Sequence, residues 1–168
     1  MKKYIFTMLF VAAFSASGAT YVTISSGDWE NSSHWLNGMI APQNGNNNVI
    51  VISSGNAMVL NSDMVFGNSC QLYVKGSLVI NGDLTAQNSL LISVTGSLEI
   101  NGSLVVSNGG EISVFGNVII SGNVELSNNG TINMNSGFLD IGGNLSGGTG
   151  GEITGSGVID IGGTNTFD

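Results

Sequence analysis

Residues 76–95 read GSLVINGDLTAQNSLLISVT, and residues 96–115 read GSLEINGSLVVSNGGEISVF. The two lines superpose without a gap, and the match extends in both directions. Asparagine marks it at Asn68, Asn88, Asn108 and Asn128. Apolar residues keep the same interval in four columns: Met58, Leu78, Leu98, Val118, Leu139, Ile159; Leu60, Ile80, Ile100, Ile120, Ile141, Ile161; Met64, Leu84, Leu104, Val124, Leu145; and Leu72, Ile92, Ile112, Ile132, Ile153. Over residues 56–163 the phase slips once, by one residue, near Asn135 and Ser136. Self-similarity at a fixed period of this length is the mark of a stacked-repeat architecture.

Within one period, Leu78 and Ile80, Leu84 and Ala86, and Ile92 and Val94 alternate with polar or variable neighbours. Alternation with period two describes a half-buried strand, because successive side chains point to opposite faces. Each rung thus holds three short strands. Asn81-Gly82, Asn88-Ser89 and Thr95-Gly96 stand between them, and Asn and Gly tolerate the positive φ that corners use. Asn-Gly between apolar runs also signals a hairpin. A meander, however, gives no reason for three unequal turns to recur in fixed order, nor for asparagine to hold one column. In a parallel coil each strand pairs with its copy one rung away, about 4.8 Å distant. Asn68, Asn88, Asn108 and Asn128 then stack, and their amides are expected to bond along the column, as stacked asparagines do in cross-β assemblies. A left-handed coil asks for a hexapeptide beat, which these uneven spacings lack. The expected fold is all-β: a single-stranded right-handed parallel β-helix of about 20 residues per rung, with about five rungs behind an N-terminal cap.

The 168 residues suit one domain. Lys2 and Lys3, an apolar run over 5–14 and small residues over 15–19 read as an export signal, with Ser17-Gly18-Ala19 fitting cleavage before Thr20. The chain divides into 1–19 signal, 20–55 cap and first strand, and 56–168 repeat domain. No apolar run is long enough to span a membrane. Removing the signal leaves eleven carboxylates against Lys75 alone, a formal charge of −10 with His34 neutral. Such a surface repels phosphate backbones and anionic lipid, so no nucleic-acid partner is expected. Cys70 lies in register with Leu90, at inward parity, and reads as a small buried hydrophobe. A lone cysteine makes no internal disulfide.

Residues 20–50 do not follow the repeat. Tyr21, Val22 and Ile24 suggest a first strand, Trp29 and Trp35 follow, and residues 49–52 enter the ladder. The end of a coil exposes an apolar cross-section and unpaired strand edges, which need a cover. Trp29 and Trp35 are the expected plug. Their second reading is ligand contact, by stacking on sugar rings together with Tyr21.

The order Gly27-Asp28-Trp29, Trp35, Gly38, Pro42, residues 48–52, Gly55 and Val59 resembles the start of bacterial exported right-handed parallel β-helix proteins, of the adhesin-like and autotransporter-passenger-like kind. The resemblance implies a secreted or cell-surface protein with an adhesive or structural role. Such proteins commonly run for more rungs and end in a translocator barrel or sorting module. This chain is accordingly read as either a fragment or a short form in which Phe167 folds over the open end.

Candidate sites are few. Outward columns run Val59, Val79, Glu99, Ile119, Asp140, Asp160; Asp63, Asp83, Ser103, Asn123, Asn144, Thr164; and Gln71, Leu91, Glu111, Thr131, Glu152. Asp140 with Asp160, and Asp63 with Asp83, place like charges one rung apart, which is unfavourable unless a proton or a cation intervenes. Calcium is the one cofactor these oxygens admit, but it needs six to eight ligands, and the glycine-rich nonapeptide of calcium-binding repeats is absent. Glycoside hydrolysis needs opposed carboxylates across a cleft, which a flat column does not offer. His34 is alone, short of the three ligands of a zinc site. Threonines fall in different columns, so no ice-binding array forms. Outward Val59, Val79, Ile119, Val65, Val105 and Leu91 make part of the surface apolar and mark either a partner face or ordinary strand residues. The expectation is a non-enzymatic exported structural or adhesin-like protein, with no catalytic residue and no cofactor. Its partner is expected to be a protein or glycan surface, and end-to-end or lateral self-association is open to it. The alternative is a carbohydrate-binding or polysaccharide-acting β-helix.

Overall fold

A computed structural model describes residues 18–167. Most of the export segment, residues 1–17, lies outside the described residues. The alternation of apolar and polar residues does produce strands, and the fixed period stacks them. One rung consists of Leu91–Val94, Ser97–Ile100 and Leu104–Val106. Copies of these three segments form three parallel sheets of seven, seven and six strands. Leu98 pairs with Leu78 on one side and Val118 on the other, and Ile112 pairs with Ile92 and Ile132. The chain is a parallel β-solenoid whose rungs are about 20 residues long.

All four apolar columns point inward. From Met58 to Leu139, from Leu60 to Ile141, and from Leu72 to Ile132, every member is buried. The core is therefore one continuous stack rather than a pocket between layers. Each interior leucine or isoleucine removed from water contributes roughly 1.5–3 kcal/mol of transfer free energy.

The corners obey two different rules. Between the third and first sheets, Asn68, Asn88, Asn108 and Asn128 all adopt left-handed backbone, with φ of 48–53°. Ser69, Ser89, Gly109 and Asn129, which follow them, do the same. Asparagine is the side chain that best tolerates this region after glycine. Between the first and second sheets the cause is proximity, not φ. A Cβ on Gly96 would lie 2.0 Å from the Gly76 carbonyl oxygen, and one on Gly116 would lie 2.1 Å from that of Gly96. The rungs touch there, and only a residue without a side chain fits. Positive φ, expected from the sequence at both kinds of corner, holds at the first; the second needs glycine for space.

Two irregularities interrupt the period. Asn117 pairs with Phe138, a spacing of 21 that places the one-residue slip in the corner containing Ser136, where φ is 68°. Earlier, Val49 pairs with Gln71 while Ala57 pairs with Ser77. The first corner, residues 53–56, is thus two residues wider than its successors. Residues 20–28 also join the ladder, although they carry none of its columns. Thr20–Val22 pairs with Val49–Ile52, and Gly27–Asp28 pairs with Ala57–Leu60, both in parallel. Ile24 lies beyond the first strand and is exposed.

The cap closes one end of the stack. Trp29 and Trp35 meet edge to face with ring centroids 4.8 Å apart. Each indole N–H has a partner: Trp29 Nε1 donates to the Ala41 carbonyl and Trp35 Nε1 to the Trp29 carbonyl, both at 2.8 Å. Thr23, buried and polar, fills the wide first corner. Its Oγ1 accepts from Ser53 N–H (2.9 Å) and Asn56 Nδ2 (3.0 Å), and its carbonyl accepts from Ser53 Oγ (2.7 Å).

Candidate functional site

The structure offers an exterior rather than a cleft, and two hydrogen-bond ladders hold that exterior in register. Both flank the corner between the second and third sheets. In the first, Asn81 Nδ2 donates to Asn61 Oδ1 at 2.7 Å and Asn101 Nδ2 to Asn81 Oδ1 at 2.8 Å, with Ser121 Oγ continuing to Asn101 at 3.4 Å. In the second, a side-chain oxygen accepts the backbone N–H one rung on. Asp63 takes that of Asp83 (2.8 Å), Asp83 that of Ser103 (2.7 Å), Ser103 that of Asn123 (3.2 Å), Asn123 that of Asn144 (2.8 Å) and Asn144 that of Thr164 (2.8 Å). A donor that the sheets leave unused at this corner is therefore satisfied on every rung. The glycines between the ladders leave room for the acceptor: a Cβ on Gly102 would stand 2.3 Å from Asp83 Oδ1.

The asparagine ladder expected from the sequence exists, in a different column from the one read. At Asn68, Asn88, Asn108 and Asn128 the rung-to-rung contact is made by the main chain. Their carbonyls accept from Asn47, Ser69, Ser89 and Gly109, at 3.0–3.3 Å. The side-chain amide bond found in that column joins Asn68 to Asn46, at 2.6 Å. Asn61, Asn81 and Asn101 carry the same period but stop at Ser121, so a search for an unbroken asparagine column passes them over.

Trp29 and Trp35 do not form a ligand platform. Their relative exposures are 0% and 1%, and both N–H groups are engaged, so neither ring face is open to a sugar. Apolar area on this scale is worth more inside the cap than in a shallow contact. Tyr21 is also packed against the core. His34 shares a hydrogen bond with Ser25 Oγ through Nδ1 (2.8 Å), and its ring lies where a side chain on Gly27 would stand. It is a cap residue. Cys70 is buried, with Sγ 2.9 Å from the Gly45 carbonyl.

The outward columns have the register read from the sequence. Val59, Val79, Glu99, Ile119, Asp140 and Asp160 follow one another as direct partners. Gln71, Leu91, Glu111, Thr131 and Glu152 do likewise. Asp63 and Asp83 are explained by their backbone donors; Asp140 and Asp160 have no such bond. Among the described residues no three His, Cys, Asp or Glu side chains converge in an arrangement able to hold a metal ion, and no pocket forms. No helix there is long and apolar enough to cross a membrane. Along the repeat the most open apolar residues are Val158 (61%), Phe115 (50%) and Val65 (45%), with Ile119 and Phe138 somewhat less so; in the cap Ile24, Leu36, Met39 and Ile40 are exposed as well. Phe138 pairs with Val158, and Phe115 occupies the corner just before Asn117, the other partner of Phe138. Val65 and Ile119 are in the apolar set expected from the sequence, whereas Phe115 stands at a corner, and Phe138 and Val158, though outward by the same alternation, continue a column that is otherwise polar at Ser97 and Asn117.

Comparison with protein-family models, with curated proteins and with solved structures gives no match.

Proposed function

We propose that this chain is a non-enzymatic exported β-solenoid, a structural or adhesin-like component of a bacterial surface or extracellular matrix. The observation that carries the reading is the pair of side-chain ladders. They lock neighbouring rungs in register and give the outside of the coil columns of side chains repeating about every 4.8 Å. A stiff repetitive face of this kind suits many weak contacts made together, where a short span between linked contacts raises overall avidity. The interior is filled with apolar side chains, and the outer apolar residues Phe115, Ile119, Phe138 and Val158 lie beside Asp140 and Asp160 on one side of the coil. The partner that fits is a protein or glycan surface contacted over several rungs. Export is supported by the charge, length and small-residue pattern of residues 1–19.

The test has two parts. Fractionation of expressing cells, with protease added to intact cells, should find the chain outside the cytoplasm. The purified chain should bind immobilised matrix proteins or glycans, and Phe138→Ser with Val158→Ser should weaken that binding without altering the far-ultraviolet spectrum. Retention in the cytoplasm would overturn the export reading. Release of reducing or unsaturated ends from an acidic polysaccharide would replace the structural reading with an enzymatic one.

A further inference from the structure

The bond expected to be cut on export lies where the ladder begins. The Ala19 carbonyl accepts from Val49 N–H at 2.9 Å, and Ala19 N–H donates to Asn48 Oδ1 at 3.1 Å. Thr20, Tyr21 and Val22 then pair with Val49, Ile50 and Val51, and Thr23 N–H donates to the Val51 carbonyl at 3.0 Å. Tyr21 packs against the core, and Thr23 is the centre of the knot that ties the first corner. On the other side of the bond, a Cβ on Gly18 would overlap the Asn47 carbonyl oxygen at 1.6 Å, so the backbone is pressed against the next rung there too.

Hydrolysis of Ala19–Thr20 sets requirements that this arrangement denies. Water adds to the Ala19 carbonyl carbon, the C–N bond breaks, and the products are an Ala19 carboxylate and a Thr20 ammonium. A peptidase must aim hydrogen-bond donors at the carbonyl oxygen as charge develops on it, yet that oxygen is held by Val49. Extended substrates are commonly gripped by adding a strand along one edge. The inner edge of Thr20–Val22 is taken by Val49–Ile52, while its outer edge is unpaired among the described residues. The obstacle is therefore the engaged Ala19 carbonyl and the backbone pressed against the next rung, together with the loss of one of the two edges.

We propose that folding and processing of this chain exclude one another at Ala19–Thr20: cleavage comes first, on an unfolded chain, and closure of the first rung removes the site. This rests on the export reading given above. Terminal strands open at low cost, so the protection is a slowing rather than an absolute block. Freeing the bond breaks the Val49 and Asn48 hydrogen bonds and lifts the backbone at Gly18 off the next rung, and we expect the cut to be about tenfold slower or more. Cutting leaves the pairing of Thr20–Val22 in place and detaches only what precedes it.

The experiment uses the full-length precursor in detergent micelles with a bacterial signal peptidase. One sample is refolded first; the other is diluted from denaturant directly into the enzyme. The directly diluted chain should be processed to an N-terminus of Thr20-Tyr21-Val22, and the refolded chain at least tenfold more slowly. Refolded Thr23→Val, which loosens the strand without touching the bond, should recover part of the difference. Equal rates for the two wild-type samples, or an N-terminus upstream of Gly18, would overturn this inference and leave the export reading standing. No cleavage of either sample would overturn the export reading itself.

Discussion

At its N-terminal end the coil is roofed by Trp29 and Trp35, both wholly buried. At the other end Ile153, Ile159 and Ile161 continue the inward columns yet remain partly in water, with Phe167 packed beside them. The contrast shows where burial in such a fold comes from. Leu139 and Ile141 are completely covered because Ile159 and Ile161 lie over them. Ile159 and Ile161 have the same chemistry and the same register, but among the described residues they pair with one rung, that of Leu139 and Ile141. In a stacked repeat each unit is stabilised by its neighbours, so an end rung keeps about half its contacts unless residues from outside the repeat supply the rest. Residues 20–48 supply them at the first end.

The comparison can be broken at the cap. Trp29→Ala should cost about 3–5 kcal/mol, because it empties the largest buried volume and strands the Ala41 carbonyl; equilibrium denaturation measures it. A change below about 1 kcal/mol would mean that the cap contributes little to closing the end. The next effect compares two neighbours in one column. Leu139→Ala should cost about 2–5 kcal/mol and Ile159→Ala clearly less, since only the first leaves a closed cavity. Equal losses would show that the last rung is as well covered as the interior. Thr23→Val keeps the shape of the side chain but removes the acceptor of two donors, Ser53 N–H and Asn56 Nδ2. The expected cost is about 1–3 kcal/mol, with hydrogen exchange rising first at residues 49–56. The smallest effect belongs to the exposed ladder. Asn81→Ala should lower stability by about 0.5–1.5 kcal/mol, and the same change at Asn88 should act through the strain of its left-handed corner instead. Asn88→Gly, which relieves that strain, should then be neutral or mildly stabilising.

The repeat was legible because it states itself several times. Each inward column offers five or six copies of the same choice, and the strands, their register and the buried faces all follow. What occurs once is harder to read. Thr20–Val22 and Gly27–Asp28 sit in the ladder without carrying its apolar pattern, and the wide corner at residues 53–56 exists to admit Thr23, a residue with no counterpart in other rungs. Within the repeat, identity alone did not reveal cause. The asparagines at 68, 88, 108 and 128 recur because a left-handed corner tolerates them, while the amide ladder belongs to Asn61, Asn81 and Asn101. Gly76, Gly96 and Gly116 recur because carbonyls approach them closely. The tryptophans showed that the cap is apolar, but whether their rings faced in or out depended on partners for their N–H groups, which only the folded chain supplies.

The central claim is that side chains one period apart sit side by side on parallel strands. Paired cysteines test it directly, in a chain whose Cys70 is replaced by serine. Ser97 and Asn117 are direct partners on the outer face, at a separation of about 4.8 Å that a disulfide can bridge. Ser97→Cys with Asn117→Cys should oxidise within one molecule nearly completely, and Ser97→Cys with Ile119→Cys, two residues out of register, should not. Failure of the first pair under conditions where the second closes would contradict the parallel register and the coil with it.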